Sequence, residues 1–66
     1  MKLTINGETK VFDKNITLAQ LLQELDLTQK VMAAAVNMEI VKQAEWERYK
    51  FKDEDKIELL DFVGGG

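Results

Sequence analysis

The 66-residue sequence contains no cysteine and no histidine. Without cysteine it has no disulfide framework, no thiolate metal site and no cysteine nucleophile. Without histidine it lacks the commonest general base and the commonest transition-metal ligand. Any chemistry of this chain therefore depends on carboxylates, lysines, hydroxyl groups or the chain ends. We expect no catalytic residue, no metal site and no bound cofactor.

Long apolar runs and a dominant basic charge are also missing. The net charge is −3 and residues of both signs are scattered along the chain, which argues against a nucleic-acid-binding surface. No apolar run approaches membrane-spanning length, and Met1–Thr4 does not begin a signal peptide. We expect a cytoplasmic protein that binds neither nucleic acid nor membranes.

Glycine is scarce except at the end, where three of the four glycines form the run Gly64–Gly66. Residues without Cβ make a thin thread that can approach another backbone closely, and three of them extend on the order of 10 Å. Such a thread can carry a terminal carboxylate through a narrow channel into another protein's active site. The alternative is an ordinary frayed end.

The whole chain is 45% hydrophobic, which is enough for one small domain. Met1 to Asn6 alternates apolar and polar residues, as a half-buried strand does. The dipeptide Asn6-Gly7 favours a type I′ turn, and Glu8 to Phe12 is typical of a returning strand. The chain is therefore predicted to open with a β-hairpin.

A helix is predicted from Leu18 to Asp26, because leucines recur at helical spacing on one face. Thr17 and Gln20 have the spacing of a capping box, and Ile16 is placed to pack on Leu21 as a hydrophobic staple. The leucines that define the face are Leu18, Leu21, Leu22 and Leu25. A core-facing stripe is favoured over a partner groove, since so small a domain has few other ways to cover a sheet.

The second half of the chain predicts further strands. Val31 to Val36 is continuously apolar and favours a strand buried on both faces. Met38 to Val41 is predicted to return as a short strand, and Lys42 to Tyr49 to form a helical turn and a loop. After an aspartate-rich turn, Lys56 to Phe62 has the pattern of the last strand. The predicted fold is α+β, with one helix across a mixed sheet of four to five strands.

In order, spacing and length, these segments resemble the ThiS family of small sulfur carrier proteins, which have the ubiquitin-like β-grasp fold. The resemblance covers essentially the whole chain. Its segments are Leu3–Gly7, Thr17–Leu22, Ala35–Asn37, Ile40–Val41, Trp46, Asp55–Glu58 and the terminal glycines. It implies a β-grasp domain over residues 1–63 and a flexible tail over residues 64–66. One departure is Glu54, where relatives often have glycine; this costs about 1 kcal/mol if the backbone there needs positive φ.

The resemblance also implies a function in thiamin biosynthesis. In this family an E1-like (ThiF-like) adenylyltransferase uses ATP to adenylate the carboxylate of the last glycine, here Gly66. A sulfur donor, such as a cysteine desulfurase carrying a persulfide, displaces AMP and leaves a thiocarboxylate, which supplies sulfur to a thiazole synthase (ThiG-like). The chain is then a protein co-substrate and not an enzyme. Gly65 and Gly64 would thread the carboxylate into the active site of the partner.

Residues beside the tail are candidates for a partner interface, namely Asp61, Phe62 and Val63. Phe62 is equally well explained as a core residue. For Trp46 and Tyr49, packing under a loop is favoured over partner contact. The acidic residues of the C-terminal quarter are expected to be solvated and not to bind a metal ion, since they lack the spacing of a calcium loop. They are Asp53, Glu54, Asp55, Glu58 and Asp61.

Three other functions fit the same sequence. The first is the same carrier chemistry with another acceptor, as in the small subunit of molybdopterin synthase or a carrier of sulfur for tRNA or cysteine. The second is a ubiquitin-like modifier whose Gly66 is joined to lysines of target proteins. The third is an interaction module or designed scaffold in which the glycines have no role.

Overall fold

The computed structural model describes residues 1–61, which form five strands, one α-helix and one 3-10 helix. The elements are β1 (Lys2–Ile5), β2 (Glu8–Val11), α1 (Leu18–Glu24), β3 (Val31–Val36), β4 (Glu39–Ile40), the 3-10 helix Gln43–Glu45 and β5 (Lys56–Asp61). The predicted α+β class, with one helix and a mixed sheet, is confirmed. Phe62, the predicted end of the last strand, lies outside the described residues.

The strands form one sheet in the order β2-β1-β5-β3-β4. β5 lies in the middle, parallel to β1 and antiparallel to β3. The two hairpins, β1-β2 and β3-β4, flank it on either side. The strand that leads to the C-terminal residues is therefore held by hydrogen bonds along both of its edges.

The start of α1 is fixed by the predicted capping box. The Gln20 amide donates to the Thr17 hydroxyl at 3.2 Å, and the Thr17 amide donates to the Gln20 side-chain oxygen at 3.0 Å. α1 ends at Glu24, two residues before the predicted Asp26. Asp26 has a φ of 60°, which is not a helical angle, so the helix cannot include it.

The core lies between α1 and one face of the sheet, which we call the inner face. The leucines of the helix that are buried are Leu18, Leu21 and Leu22, while Leu25 is half-buried. From the sheet the buried residues are Leu3, Ile5, Val31, Ala34, Val36 and Ile57. Ile16, Val41, Phe12 and Phe51 close the ends of the core. The leucine stripe is thus a core face, as predicted.

The packing prediction for the two aromatic residues near the 3-10 helix is confirmed. Trp46 is buried, and its indole N–H donates to the Val41 carbonyl at 2.9 Å. Tyr49 is partly buried and packs edge-on against Phe51, with ring centroids 5.4 Å apart. Burial raises the pKa of the Tyr49 phenol, and the charges of Asp55 and Glu39 act in the same direction.

The prediction that β3 is buried on both faces is wrong. Its inner-face residues are buried, but Met32 is exposed and Ala33 and Ala35 are only half-buried. Within residues 1–61, α1 covers the inner face and nothing packs over the opposite, outer face. An unbroken apolar run therefore does not show that a strand is buried on both faces, because small alanines are tolerated at half-exposed positions.

The predicted strand Met38–Val41 is shorter in the structure, because Met38 belongs to the turn. Asn37 and Met38 have φ values of 51° and 72°, and Asn6 and Gly7 have 48° and 89°. Both hairpins thus have the two positive φ angles that a type I′ turn requires. The turn predicted at Asn6-Gly7 is confirmed, and a second one joins β3 to β4.

Candidate functional site

The residues predicted to carry the chemistry follow β5. Asp61 is the last described residue, and its backbone pairs with Val31 of β3. Phe62, Val63, Gly64, Gly65 and Gly66 lie outside the described residues. The adenylation, threading and interface roles predicted for these residues and for Asp61 therefore stay predictions, and the described site is the strand and the surface that lead to them.

On its β1 side, β5 is held by a short parallel ladder. The Thr4 amide donates to the Asp55 carbonyl at 3.0 Å, and the Asn6 amide donates to the Ile57 carbonyl at 2.9 Å. Backbone pairing with β1 stops at Ile57, since the main chain turns away at Asn6. The last part of β5 needs another partner on this side.

The side chain of Asn6 provides that partner. The Leu59 amide donates to Asn6 Oδ1 at 2.8 Å, and Asn6 Nδ2 donates to the Leu59 carbonyl at 3.3 Å. A carboxamide has one acceptor and one donor side by side, as a strand residue does. Asn6 therefore extends the ladder beyond the end of β1.

Asn37 acts in the same way at the beginning of β5. The Lys56 amide donates to Asn37 Oδ1 at 3.0 Å, and Asn37 Nδ2 donates to Asp55 Oδ1 at 2.9 Å. The Lys52 amide donates to the other carboxylate oxygen of Asp55 at 2.8 Å. The turn before β5 is thus tied to the hairpin β3-β4.

The expectation that the acidic residues are solvated is wrong for Asp55, which is only 9% exposed. Its two carboxylate oxygens accept the hydrogen bonds from Asn37 and Lys52, and these bonds replace water. Asp53 is exposed but also bonded, since its Oδ1 accepts from the Lys2 amide at 2.7 Å. Glu54 and Glu58 are exposed, as expected.

Glu54 has a φ of 74°, so the backbone does need the conformation that glycine adopts most easily. Its amide donates to the Lys2 carbonyl at 2.7 Å. The turn keeps its shape despite the side chain, because this bond and the Asp53 contact hold it to β1. The penalty of about 1 kcal/mol that the sequence suggested therefore applies.

The outer face of the sheet exposes an apolar surface beside the last part of β5. Ile40 and Leu60 are 72% and 60% exposed. Ala35 lies between Ile40 of β4 and Glu58 of β5, and Ala33 pairs with Leu60. We call the four apolar residues Ala33, Ala35, Ile40 and Leu60 the outer patch. They line one groove together with Asn6 and Glu58.

Charge is sparse within the outer patch and present at its rim. Glu58 is exposed and adjoins Ala35, so a partner with a basic residue opposite it would be favoured. Residues 1–61 contain no cluster of three or more acidic residues placed to hold a metal ion. None of the described helices has the length and apolar character to span a membrane.

Comparison with known proteins identifies the family. The ThiS family model matches residues 3–66. The Sulfur carrier protein ThiS of Escherichia coli (strain K12) is 30% identical over 66 residues, which span the full length of both proteins. A crystal structure of the thiamine biosynthesis protein (ThiS) from Geobacter metallireducens superposes with a TM-score of 0.80 at 31% identity, and the match covers all of both chains.

A thiazole synthase of Paramagnetospirillum magneticum is 39% identical over all 66 residues of this chain, which spans 20% of that protein's length. The similarity to the Escherichia coli protein and to the Geobacter metallireducens structure extends over the full length of the chain. The chain therefore belongs to the ThiS family.

Proposed function

We propose that the chain is a sulfur carrier of thiamin biosynthesis and that its Gly66 carboxylate is converted to a thiocarboxylate. The observation that carries the proposal is the end-to-end match to the Escherichia coli protein named Sulfur carrier protein ThiS. The family match runs through Gly64–Gly66, so the residues that the chemistry needs fall inside it.

The chemistry proceeds in two steps, neither of which needs a catalytic group on the carrier. An oxygen of the Gly66 carboxylate attacks the α-phosphorus of ATP, and pyrophosphate leaves. Sulfide then attacks the acyl carbon, and AMP leaves, which gives the thiocarboxylate. When the donor is a persulfide, as on a cysteine desulfurase, the same attack gives an acyl disulfide, and a thiol must then attack the donor sulfur to release the thiocarboxylate and form a new disulfide. The E1-like adenylyltransferase provides the active site. A chain without histidine and cysteine is suited to this role, because it only presents the reacting carboxylate.

We propose a thiazole synthase as the sulfur acceptor. Support comes from the thiazole synthase of Paramagnetospirillum magneticum, a fifth of which aligns with this chain at 39% identity. A carrier-like segment and a thiazole synthase in one polypeptide have a high effective concentration for each other. The same pairing between separate chains requires a docking surface.

We propose that the outer patch is this docking surface, and that the adenylyltransferase binds it first. The exposed apolar side chains of Ile40 and Leu60 favour contact with an apolar partner surface. The outer patch includes Leu60 of β5, which precedes the terminal glycines by only a few residues in the sequence, and this supports a partner that binds the patch and acts on Gly66. Because the adenylyltransferase and the thiazole synthase would use the same outer patch, they would bind one after the other. A carrier must visit its two partners in this order.

The experiment that tests the proposed function is the intact mass of the purified chain. The chain is incubated with ATP and the E1-like adenylyltransferase of its own cell, with and without sulfide. We expect the mass of one adenylyl group to be added without sulfide, and one oxygen to be exchanged for sulfur with it. A chain whose Gly66 carboxylate has been amidated is the control and should show neither change. An unchanged mass with an adenylyltransferase that is active on another carrier would contradict the proposal.

A further inference from the structure

The two asparagines of the hairpin turns, Asn6 and Asn37, hold opposite ends of β5. Each is the first residue of its turn, and each has a φ near 50°. Asn37 contacts Lys56, the first residue of β5. Asn6 contacts Leu59, two residues before the last described residue, Asp61. Asn6 bonds both backbone groups of Leu59, whereas Asn37 bonds the Lys56 amide and the Asp55 carboxylate.

Towards its end, β5 is paired with β3 on one side and with the side chain of Asn6 on the other. On the β3 side, the register shifts between Val31 and Ala33, so that Met32 has no partner in β5. Such a bulge interrupts the ladder and bends the strand. On the β1 side, backbone pairing has already ended at Ile57. The two hydrogen bonds from Asn6 are what continues the sheet on that side.

On the basis of the proposed function, we propose that Asn6 is a positioning residue for the adenylation of Gly66. By fixing Leu59 it sets the direction in which β5 delivers the tail to the adenylyltransferase. Asn6 also lines the groove of the outer patch, so the strand end and the docking surface are held by one side chain. Asn6 acts through the strand and does not touch the reacting carboxylate.

Loss of this side chain should weaken productive binding more than the chemical step. Without the bonds, the part of β5 beyond Ile57 is held only on its β3 side, so its direction is less well fixed, and only the correct direction places the tail in the partner. The fraction of competent carrier falls, which raises KM in proportion, while kcat is retained once the complex has formed. We expect an increase in KM of about fivefold, on the order of what one or two lost hydrogen bonds produce.

The test compares Asn6→Gly with Asn37→Gly. Glycine accepts the positive φ at both positions, so each substitution removes only the side chain and its bonds. Both variants also gain the same backbone freedom in the unfolded state. The pair is therefore matched in residue type, turn type and strand. Asn37→Gly also removes a hydrogen-bond partner of the buried Asp55 carboxylate, so the unfolding free energy of both variants is measured beside KM.

We would measure KM and kcat for the carrier in the adenylation reaction, together with amide hydrogen exchange. Asn6→Gly should raise KM about fivefold at unchanged kcat and speed the exchange of the Leu59 amide. Asn37→Gly should speed the exchange of the Lys56 amide and leave KM unchanged. If Asn6→Gly does not fold, Asn6→Asp serves instead. It keeps an acceptor for the Leu59 amide but replaces the donor by an oxygen that repels the Leu59 carbonyl, so KM should again rise.

Equal KM values for the two glycine variants, or a lower kcat with an unchanged KM, would overturn the positioning role. A wild-type chain that is not adenylated at all would refute the proposed function, and the positioning role would fall with it. The two failures can be distinguished. The KM values of the variants test the positioning role, and adenylation of the wild-type chain tests the proposed function.

Discussion

The inner and outer faces of the sheet contain similar apolar residues but differ in what covers them. On the inner face, Ile57 and Val36 are buried under the helix. On the outer face, Leu60 and Ile40 are exposed, although they lie on the same or neighbouring strands. The apolar residues of the inner face stabilise the fold, whereas those of the outer face are available to a partner. Substitutions on the two faces should therefore change different measurements.

The largest effect on stability is expected at the inner face. Leu21→Ala removes a fully buried side chain and should lower the free energy of unfolding by about 3 kcal/mol. That is a large part of the stability of so small a domain. Urea denaturation measures the change. Gln23→Ala, on the exposed side of the same helix, is the control and should change the stability little. Equal losses in the two variants would contradict the assignment of the inner face.

The largest effect on activity is expected at the tail. Gly66→Ala and Gly65→Ala add a methyl group on or next to the residue whose carboxylate we propose to be adenylated and then attacked by sulfur. Each should leave the unfolding curve unchanged and reduce adenylation by about 100-fold, because small displacements of reacting atoms have effects of this size. An ATP–pyrophosphate exchange assay measures the loss. Gly64→Ala should have a smaller effect, since Gly64 lies further from the carboxylate. Full exchange activity of Gly66→Ala would contradict the proposed chemistry.

An intermediate effect is expected at the outer patch. Leu60→Ala should raise the KM for the carrier roughly fivefold, because about 1 kcal/mol of apolar contact with the proposed partner, the adenylyltransferase, would be lost. Ile40→Ala should act in the same direction. The control is Val11→Ala, since Val11 is 74% exposed but lies on the edge strand β2, away from the patch. All three variants should unfold like the wild type. A higher KM for Val11→Ala than for Leu60→Ala would place the docking surface elsewhere.

A smaller, stabilising effect is expected at Glu54. Glu54→Gly relieves the positive φ and should raise the free energy of unfolding by about 0.5–1 kcal/mol. Thermal unfolding measures the gain, and Glu54→Ala, which keeps the Cβ atom, should not show it. Because Glu54 lies outside the outer patch, KM should not change. A loss of stability in Glu54→Gly would mean that the side chain itself holds the turn.

The smallest effect concerns pH. The pKa of Tyr49 is raised in the folded state, mainly by burial, so folding favours the neutral phenol. This contribution to stability is fully present below the usual tyrosine pKa of about 10 and is lost as the pH rises through the higher folded value. The difference in unfolding free energy between wild type and Tyr49→Phe should therefore change in this alkaline range. A difference that is constant across it would contradict the shift.

Features with a local sequence signal were predicted well. The helix start depends on Thr17 and Gln20, three residues apart, and the first turn depends on the adjacent pair Asn6-Gly7. Both are as predicted. The period of the leucines also identified the buried side of the helix. In each case the residues that determine the structure are neighbours in the chain.

Features that depend on distant residues were missed. Asn6 bonds to Leu59 across 53 positions, and Asp55 is buried by its bond to Asn37, which is 18 positions away. Nothing near these residues in the sequence indicates such partners. The open outer face was missed for a related reason, because burial of β3 depends on how many layers cover the sheet, and an apolar run does not report that.

The central claim is that this chain carries sulfur on Gly66. It is tested most directly by tandem mass spectrometry of the C-terminal peptide from protein isolated from its own cells. We expect that part of the protein has one oxygen replaced by sulfur, and that the fragments assign the change to Gly66. A peptide with only the ordinary carboxylate in cells that are making thiamin, or a modification at another residue, would contradict the account.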